Sequence, residues 1–251
     1  MNENDIKSLI DFHLEGRRQG PGSQEETLKA LVMSGLKGQQ GLKIADIGCG
    51  TGASALILAR FFQSEIVAVD LFPDFLAKLV KNAEEQGLAH LITPQEASMD
   101  SLSFSKESLD LIWSEGAIYN MGFEKGVQSW KEYLKPKGVL AVSEITWLTN
   151  TRPEPIHEYW TREYAEIGSA SEKITILEKN EFKILGYFPL STSSWVENYY
   201  NPNKKRFNSF LEEHAHSPSA KLIIENERQE IDLYKKYSSY YSYGFYIAQK
   251  I

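Results

Sequence analysis

From residue 43 onward, short β-branched runs alternate with longer stretches in which apolar residues recur at helical spacing. That alternation is the pattern of a parallel sheet with helices packed on both faces. Residues 43–47 read as a buried strand ending at glycines, and 53–62 as a helix carrying Ala55, Leu56, Ala59 and Phe62 on one side. Residues 65–70 form the next strand. Pro73 opens a helix whose Leu76, Leu79, Val80 and Ala83 make one apolar stripe, and Gly87 is placed to end it. A weaker strand at 91–95 is broken by Pro94, a fourth strand is expected at 109–113, and 123–134 has helical period. The turn Pro136-Lys137-Gly138 feeds a fifth strand at 139–145, apolar enough to be buried on both faces.

Two further helices are expected at 154–167 and 171–179, and strands at 182–190 and 241–248. The residues between those late strands are helical in pattern. Ser194-Trp195-Val196-Glu197 has capping-box spacing, and Ser217-Pro218 places an N-cap before a proline at the first helical position. The expected organisation is a helical leader or flap at 1–40 and a single domain at 41–251, with a helical insertion at 194–238 that forms a lid.

Composition narrows the partners. The chain has 251 residues, is 42% hydrophobic and carries a net charge of −7, so it can bury a full core but offers no cationic surface for tracking phosphates. Its one basic run, Lys204-Lys205-Arg206, reads as the solvated start of a helix. No stretch approaches the length of apolar sequence that crosses a membrane, and the first twenty residues hold no apolar run. Cys49 is the only cysteine, which excludes an intrachain disulfide and a cysteine-rich zinc site. The expectation is a cytoplasmic protein, monomer or homodimer, with a small-molecule partner and neither nucleic acid nor membrane.

The turn after the first strand, Asp46-Ile47-Gly48-Cys49-Gly50-Thr51-Gly52, carries the strongest chemical signal. Its glycines let the backbone approach a ligand closely, and the helix that follows presents unpaired amides. Asp70 ends the second strand about twenty residues later, where a carboxylate can accept hydrogen bonds from both ribose hydroxyls. Gly48-x-Gly50-x-x-Ala53 also satisfies the loose dinucleotide fingerprint, so these features fit NAD as well. Asp46 separates the two, because a carboxylate at that strand end suits a ligand with an ammonium group and no pyrophosphate.

Here the chain resembles a known family. Residues 44–52, Val69-Asp70 and Leu134-Lys135-Pro136-Lys137-Gly138-Val139-Leu140 are similar to the motifs of class I S-adenosylmethionine-dependent methyltransferases. Arg18-Gln19-Gly20-Pro21-Gly22-Ser23 and Trp195-Val196-Glu197-Asn198-Tyr199-Tyr200 look like a poorly characterised bacterial small-molecule branch. The resemblance implies an α/β, Rossmann-like, doubly wound sheet of seven strands with the terminal strand antiparallel and the lid between strands six and seven. It implies S-adenosylmethionine as cofactor, with S-adenosylhomocysteine as product. By the same resemblance Gly48, Cys49, Gly50, Thr51 and Gly52 line the cofactor and Asp46 lies near its amino group. Asp70 and Leu71 take the ribose side, and Ser98 and Met99 flank adenine. Apart from the resemblance, the arginines and glycines of the leader from Arg17 to Ser23 suggest a flexible flap that folds over the cofactor carboxylate through Arg18. Many members carry an acid directly after the third strand, where this chain has Ser98 and then Asp100.

Methyl transfer from a sulfonium is an in-line displacement on an activated donor, so positioning supplies most of the catalysis. A base is needed only if the acceptor must lose a proton. Glu115, just after the fourth strand, is the leading carboxylate, as a cofactor or substrate contact or a proton acceptor, and His157 is a second catalytic candidate. Tyr119 with Asn120, and Trp195, Tyr199 and Tyr200, are the candidate acceptor walls, set against an ordinary packing role for each. His214 and His216 are wrongly spaced for one helical metal face, so no metal is expected. A non-catalytic adenosylmethionine-binding regulator and a nicotinamide-dependent oxidoreductase remain as alternatives.

Overall fold

A computed structural model describes residues 3–251. The strands are β1 (Ile44–Ile47), β2 (Ile66–Asp70), β3 (Ile92–Glu96), β4 (Leu109–Glu115), β5 (Leu134–Trp147), β6 (Gly168–Ser169), β7 (Phe182–Pro189) and β8 (Tyr241–Lys250). They form one sheet in the order β3-β2-β1-β4-β5-β8-β7, with the two-residue β6 paired to the end of β5. Strands β1 to β5 run parallel, and β8 is antiparallel to both β5 and β7. The Rossmann-like order and the antiparallel terminal strand match expectation; β6 is an addition to the seven expected strands.

Ten α-helices surround the sheet among the described residues: α1 (Glu3–Leu14), α2 (Gln24–Met33), α3 (Ala53–Phe62), α4 (Pro73–Glu85), α5 (Phe123–Lys131), α6 (Glu154–Glu163), α7 (Ala170–Lys179), α8 (Thr192–Trp195), α9 (Asn201–Glu213) and α10 (Pro218–Tyr237). On one face Leu31, Leu58, Ala59 and Leu79 pack on Ile44, Leu111 and Val139. On the other, Ile118, Phe123, Val127, Trp130 and Leu177 pack on Ala45, Ile112 and Leu140. A third, aromatic cluster joins α1 and the insertion to the last two residues of interest on β5, Ile145 and Trp147, through Phe12, Trp195, Tyr200, Tyr234 and Tyr241. Each fully buried large apolar side chain contributes about 1.5–3 kcal/mol, so this third cluster alone is enough to hold the insertion against the sheet.

Several boundaries differ from the pattern for physical reasons. The helix expected at 123–134 stops at Lys131, because Leu134 is fully buried as the first residue of β5 and pairs with Leu109. The helix expected at 154–167 stops at Glu163, where Tyr164 turns extended (φ −150°) and the chain enters β6. The capping box expected at Ser194 is absent. Ser191 holds the N-cap position of α8, while the Ser194 hydroxyl donates to Glu26 on α2. The reciprocal box lies at Ser169 and Glu172, ahead of α7. Ser217 does cap α10, accepting from the Ala220 N–H at 3.2 Å. The basic run sits within α9, which continues from α8 through a π-helical turn at Val196–Tyr200, and Arg206 donates to the Phe12 carbonyl at 2.7 Å.

Candidate functional site

A cavity of about 460 Å³ opens at the carboxyl ends of β1, β2 and β4, the edge where parallel α/β sheets take their ligands. Its floor is Ile47, Gly48, Cys49 and Gly50, and its sides are Asp70 with Leu71 and Phe72, Ala97 to Asp100, and Glu115 to Ala117. The leader closes it from above with Ile6, His13, Arg18 and Gln19.

The glycine turn is built by backbone demand. Gly48 has φ +72°, and a Cβ there would collide with that of Ala117, so the turn and the end of β4 can meet only without a side chain. Gly52 (φ +91°) serves packing, since a Cβ would run into Leu79 of α4. Gly52 and Thr51 are not among the residues lining the cavity; the Thr51 N–H is taken at 3.0 Å by Gln19 Oε1.

Two strand-end carboxylates flank the turn. Asp70 accepts from the Gly50 N–H at 2.8 Å and the Phe72 N–H at 3.0 Å, which fixes its orientation at the cavity wall. Burial pushes its carboxyl up, against the lowering effect of those backbone donors. Asp46 is 1% exposed and stands one layer behind the lining, where its Oδ2 accepts from Ser54 Oγ at 2.6 Å. Its Oδ1 is buried without a partner. Burial raises the Asp46 carboxyl to about 7, with Ser54 opposing and the Glu115 and Asp70 charges adding to the rise. Cys49 is buried, and burial followed by the Asp46 and Asp70 charges pushes its thiol well up, so it is a packing residue and not a nucleophile.

Glu115 ties the leader down. Its Oε2 accepts from Arg18 Nη1 at 2.6 Å, and its Oε1 from Thr27 Oγ1 at 2.7 Å and Trp113 Nε1 at 2.9 Å. A carboxylate held by three donors, one of them a guanidinium, is an anchor for the leader. Gln19 completes the closure, donating to the His13 carbonyl at 3.1 Å and to Thr51 Oγ1 at 3.1 Å.

The other expected site residues divide. Ser98, Met99, Tyr119 and Asn120 line the cavity, and Asp100 joins them while pairing with Lys125 at 2.9 Å. Tyr119 is 40% exposed, and burial of its phenol raises its pKa. Trp195, Tyr199 and Tyr200 do not line the cavity: they are buried in the aromatic layer, Trp195 stacked on Tyr234 at 4.7 Å. His157 lies on the exposed side of α6, against Arg152 at 3.3 Å, away from the lining. Sequence reasoning passed over His13 and Gln19 of the leader and Phe72 and Phe75 beside Asp70. His13 is pushed down to about 4 by burial and then by Arg206, so it lines the cavity as a neutral ring. The only advance signal for this set was the leader's mix of glycine and arginine. Among the described residues no group of three or more His, Cys, Asp or Glu is placed to hold a metal, and no helix is long and apolar enough to cross a membrane.

Comparison with known proteins adds a likeness. Residues 44–138 match a family model described as a methyltransferase domain. The chain is 28% identical to a ribosomal protein arginine N-methyltransferase of Schizosaccharomyces pombe over 74% of its own length and 35% of that protein's. It is 34% identical to an uncharacterized methyltransferase of Bacillus subtilis over 39% of its length and 40% of that protein's. It thus spans well under two thirds of these curated relatives. A methyltransferase of Geobacter sulfurreducens, solved with S-adenosyl-L-homocysteine, superposes over 100% of this chain and 99% of that one with a TM-score of 0.84 at 16% identity, which establishes the fold. Over residues 44–138 the chain is thus similar to methyltransferase domains, and its fold is that of the solved methyltransferase.

Proposed function

We propose that this methyltransferase-domain protein moves the methyl group of S-adenosylmethionine to a small-molecule acceptor. The observation that carries the reading is the buried, unpartnered Oδ1 of Asp46 directly behind the glycine turn. A dinucleotide would bring a doubly charged pyrophosphate up to that carboxylate, whereas an ammonium group or an ordered water bridging to one would satisfy it. Around the cavity Glu115 is answered by Arg18 and Asp100 by Lys125, which leaves Asp70 beside Asp46 without an ion-pair partner among the described residues, a balance that favours a cationic ligand.

Bound there, the cofactor supplies a methyl carbon already activated by its sulfonium. The residues of this chain hold and orient it. Asp70, fixed by two backbone donors, takes the ribose hydroxyls. Leu71, Ala97 and Met99 give adenine apolar walls, and Ser98 and Asp100 offer polar contacts at its rim. Arg18 keeps N–H groups beyond those given to Glu115 and Thr27, which suit the cofactor carboxylate. The leader excludes water, and Tyr119 and Asn120 stand where the acceptor approaches. Since Glu115 is committed to the leader, the reaction rests on alignment and not on a base supplied by that residue.

The test is calorimetric titration of the full chain with S-adenosylhomocysteine and, separately, with NADH. Micromolar binding of the first, its weakening by at least tenfold in Asp70→Ala, and transfer of labelled methyl to a small-molecule pool are expected. NADH binding with no response to millimolar S-adenosylhomocysteine would overturn the reading.

A further inference from the structure

Two carboxylates in the insertion, one buried and one half-buried, have no cation to answer them among the described residues. Glu227 and Glu230 stand one turn apart on α10; Glu227 is 9% exposed and accepts from Asn203 Nδ2 at 3.2 Å, and Glu230 accepts from Tyr200 Oη at 2.8 Å. Among the described residues neither has a Lys, Arg or His within ion-pair distance. Glu144, which is fully buried, is by contrast met by Lys173 Nζ at 3.1 Å. An unanswered buried carboxylate costs several kcal/mol, so its retention in a lid layer asks for a ligand that offsets the cost.

The surroundings are aromatic. Tyr119, Tyr159, Tyr199, Tyr200, Tyr241 and Tyr243 all lie within the electrostatic reach of Glu230. The Tyr241 hydroxyl is wholly buried and has no hydrogen-bond partner of normal geometry, while the centroids of the Tyr241 and Trp160 rings lie 5.2 Å apart. An unsatisfied hydroxyl beside an unanswered carboxylate marks the same place as polar and incomplete. This layer also abuts the transfer site. Tyr119 lines the cofactor cavity, and the Tyr243 ring comes within 3.1 Å of where a side chain on Gly116 would begin and 4.0 Å of the same point on Gly20.

Negative charge backed by tyrosine faces is the environment that receives a cationic nitrogen, through ion pairing and cation–π attraction. It is hostile to a carboxylate or phosphate acceptor, since the one cavity guanidinium, Arg18, is shared between Glu115 and the cofactor carboxylate it would meet. We propose that the methyl acceptor is a basic amine, received between Tyr119 at the cavity wall and the Glu227–Glu230 pair of α10. The inference rests on the methyltransferase reading above. The nitrogen, after giving a proton to a carboxylate of the pair if it arrives as an ammonium, attacks the methyl carbon with its lone pair. The nitrogen–carbon bond forms as the sulfur–carbon pair withdraws onto sulfur, and the positive charge passes from sulfur to nitrogen. The product remains a cation that the same carboxylates hold.

The test uses the full chain saturated with S-adenosylhomocysteine and an isosteric pair of probes, choline and neutral 3,3-dimethyl-1-butanol, titrated calorimetrically. Choline is expected to bind at least tenfold more tightly. Glu230→Gln, whose amide oxygen still accepts from Tyr200, is expected to reduce that preference to under twofold with S-adenosylhomocysteine affinity kept within twofold. Glu227→Gln serves as the second variant should Glu230→Gln not fold, and the wild-type probe comparison decides the question by itself. Equal binding of the two probes, or a preference that survives in the folded variants, overturns the inference and leaves the methyltransferase reading standing. Failure of S-adenosylhomocysteine to bind the wild type overturns both. In a labelled-methyl screen, label found on amines supports the inference, and label found only on carboxylates or hydroxyls overturns it.

Discussion

Glu115→Gln tests whether the leader is held by one carboxylate. In the native chain three donors converge on Glu115, from Arg18 at 2.6 Å, Thr27 at 2.7 Å and Trp113 at 2.9 Å, with the Arg18 and Glu115 side chains 12% and 11% exposed. The amide keeps one acceptor oxygen and turns a donor toward a donor on the other side. One charge-assisted hydrogen bond is lost, worth about 1.5–3 kcal/mol, and a partly buried donor is left unmet at about 1–3 kcal/mol. Relaxation of the leader into water recovers part of this, so a net loss of about 2–4 kcal/mol is expected, within the 5–15 kcal/mol that holds a typical domain. Urea unfolding reads the total. Hydrogen exchange at the Gly22 amide, which donates to the Ser194 carbonyl at 3.4 Å, reads the leader itself and should speed up by more than about tenfold. S-adenosylhomocysteine affinity should fall in parallel. A variant within about 0.5 kcal/mol of wild type with unchanged exchange at Gly22 would refute the anchoring role.

Two further outcomes follow from buried charge. Lys173→Met leaves Glu144 fully buried without its partner and should cost about 3–5 kcal/mol by urea unfolding; the double variant with Glu144→Leu should recover much of that, and a double variant as unstable as the single would contradict it. Asp46→Asn should change the pH dependence of stability. A carboxyl raised from 3.8 to about 7 in the folded state binds its proton there more tightly than in the unfolded chain, so its contribution is complete below pH 4 and lost as pH rises to 7. The loss is at most about 4 kcal/mol, at 1.36 kcal/mol per unit. The variant should therefore gain on wild type between pH 4.5 and 8; a gap that does not change with pH in paired urea titrations would be inconsistent with the shift.

The parts of this fold that were legible in the sequence are those fixed locally. The helix at Ala53–Phe62 and the strand ending at Asp70 follow from glycine, proline and apolar spacing within a dozen residues. Long-range pairing decided the rest. Leu134 looks helical beside Trp130 but is captured by Leu109 across the sheet. Aromatic composition could announce that Trp195, Tyr199 and Tyr200 are buried, yet not on which side of the wall they stand, because both a lid core and an acceptor pocket demand apolar rings. Gln19 and His13 escaped notice because their partners, Thr51 and the cavity, are distant in sequence and polar side chains in a leader carry no periodicity.

The placement of β8 between β5 and β7 bears on how the protein is made. The ribosome delivers β7 before the insertion and β8 after it, and the residues from 190 to 240 take roughly 3–10 s to emerge at 5–20 residues per second. Throughout that interval the edge of β5 from Val139 to Trp147 and the edge of β7 have no strand between them. Open edges of apolar strands invite pairing with other chains, so slower growth temperature or chaperone supply should raise soluble yield by covering that interval. The ring that closes against Gly20 and Gly116 arrives on β8 as Tyr243, so in the nascent chain these two cavity-lining glycines gain their backing only when that strand slots home.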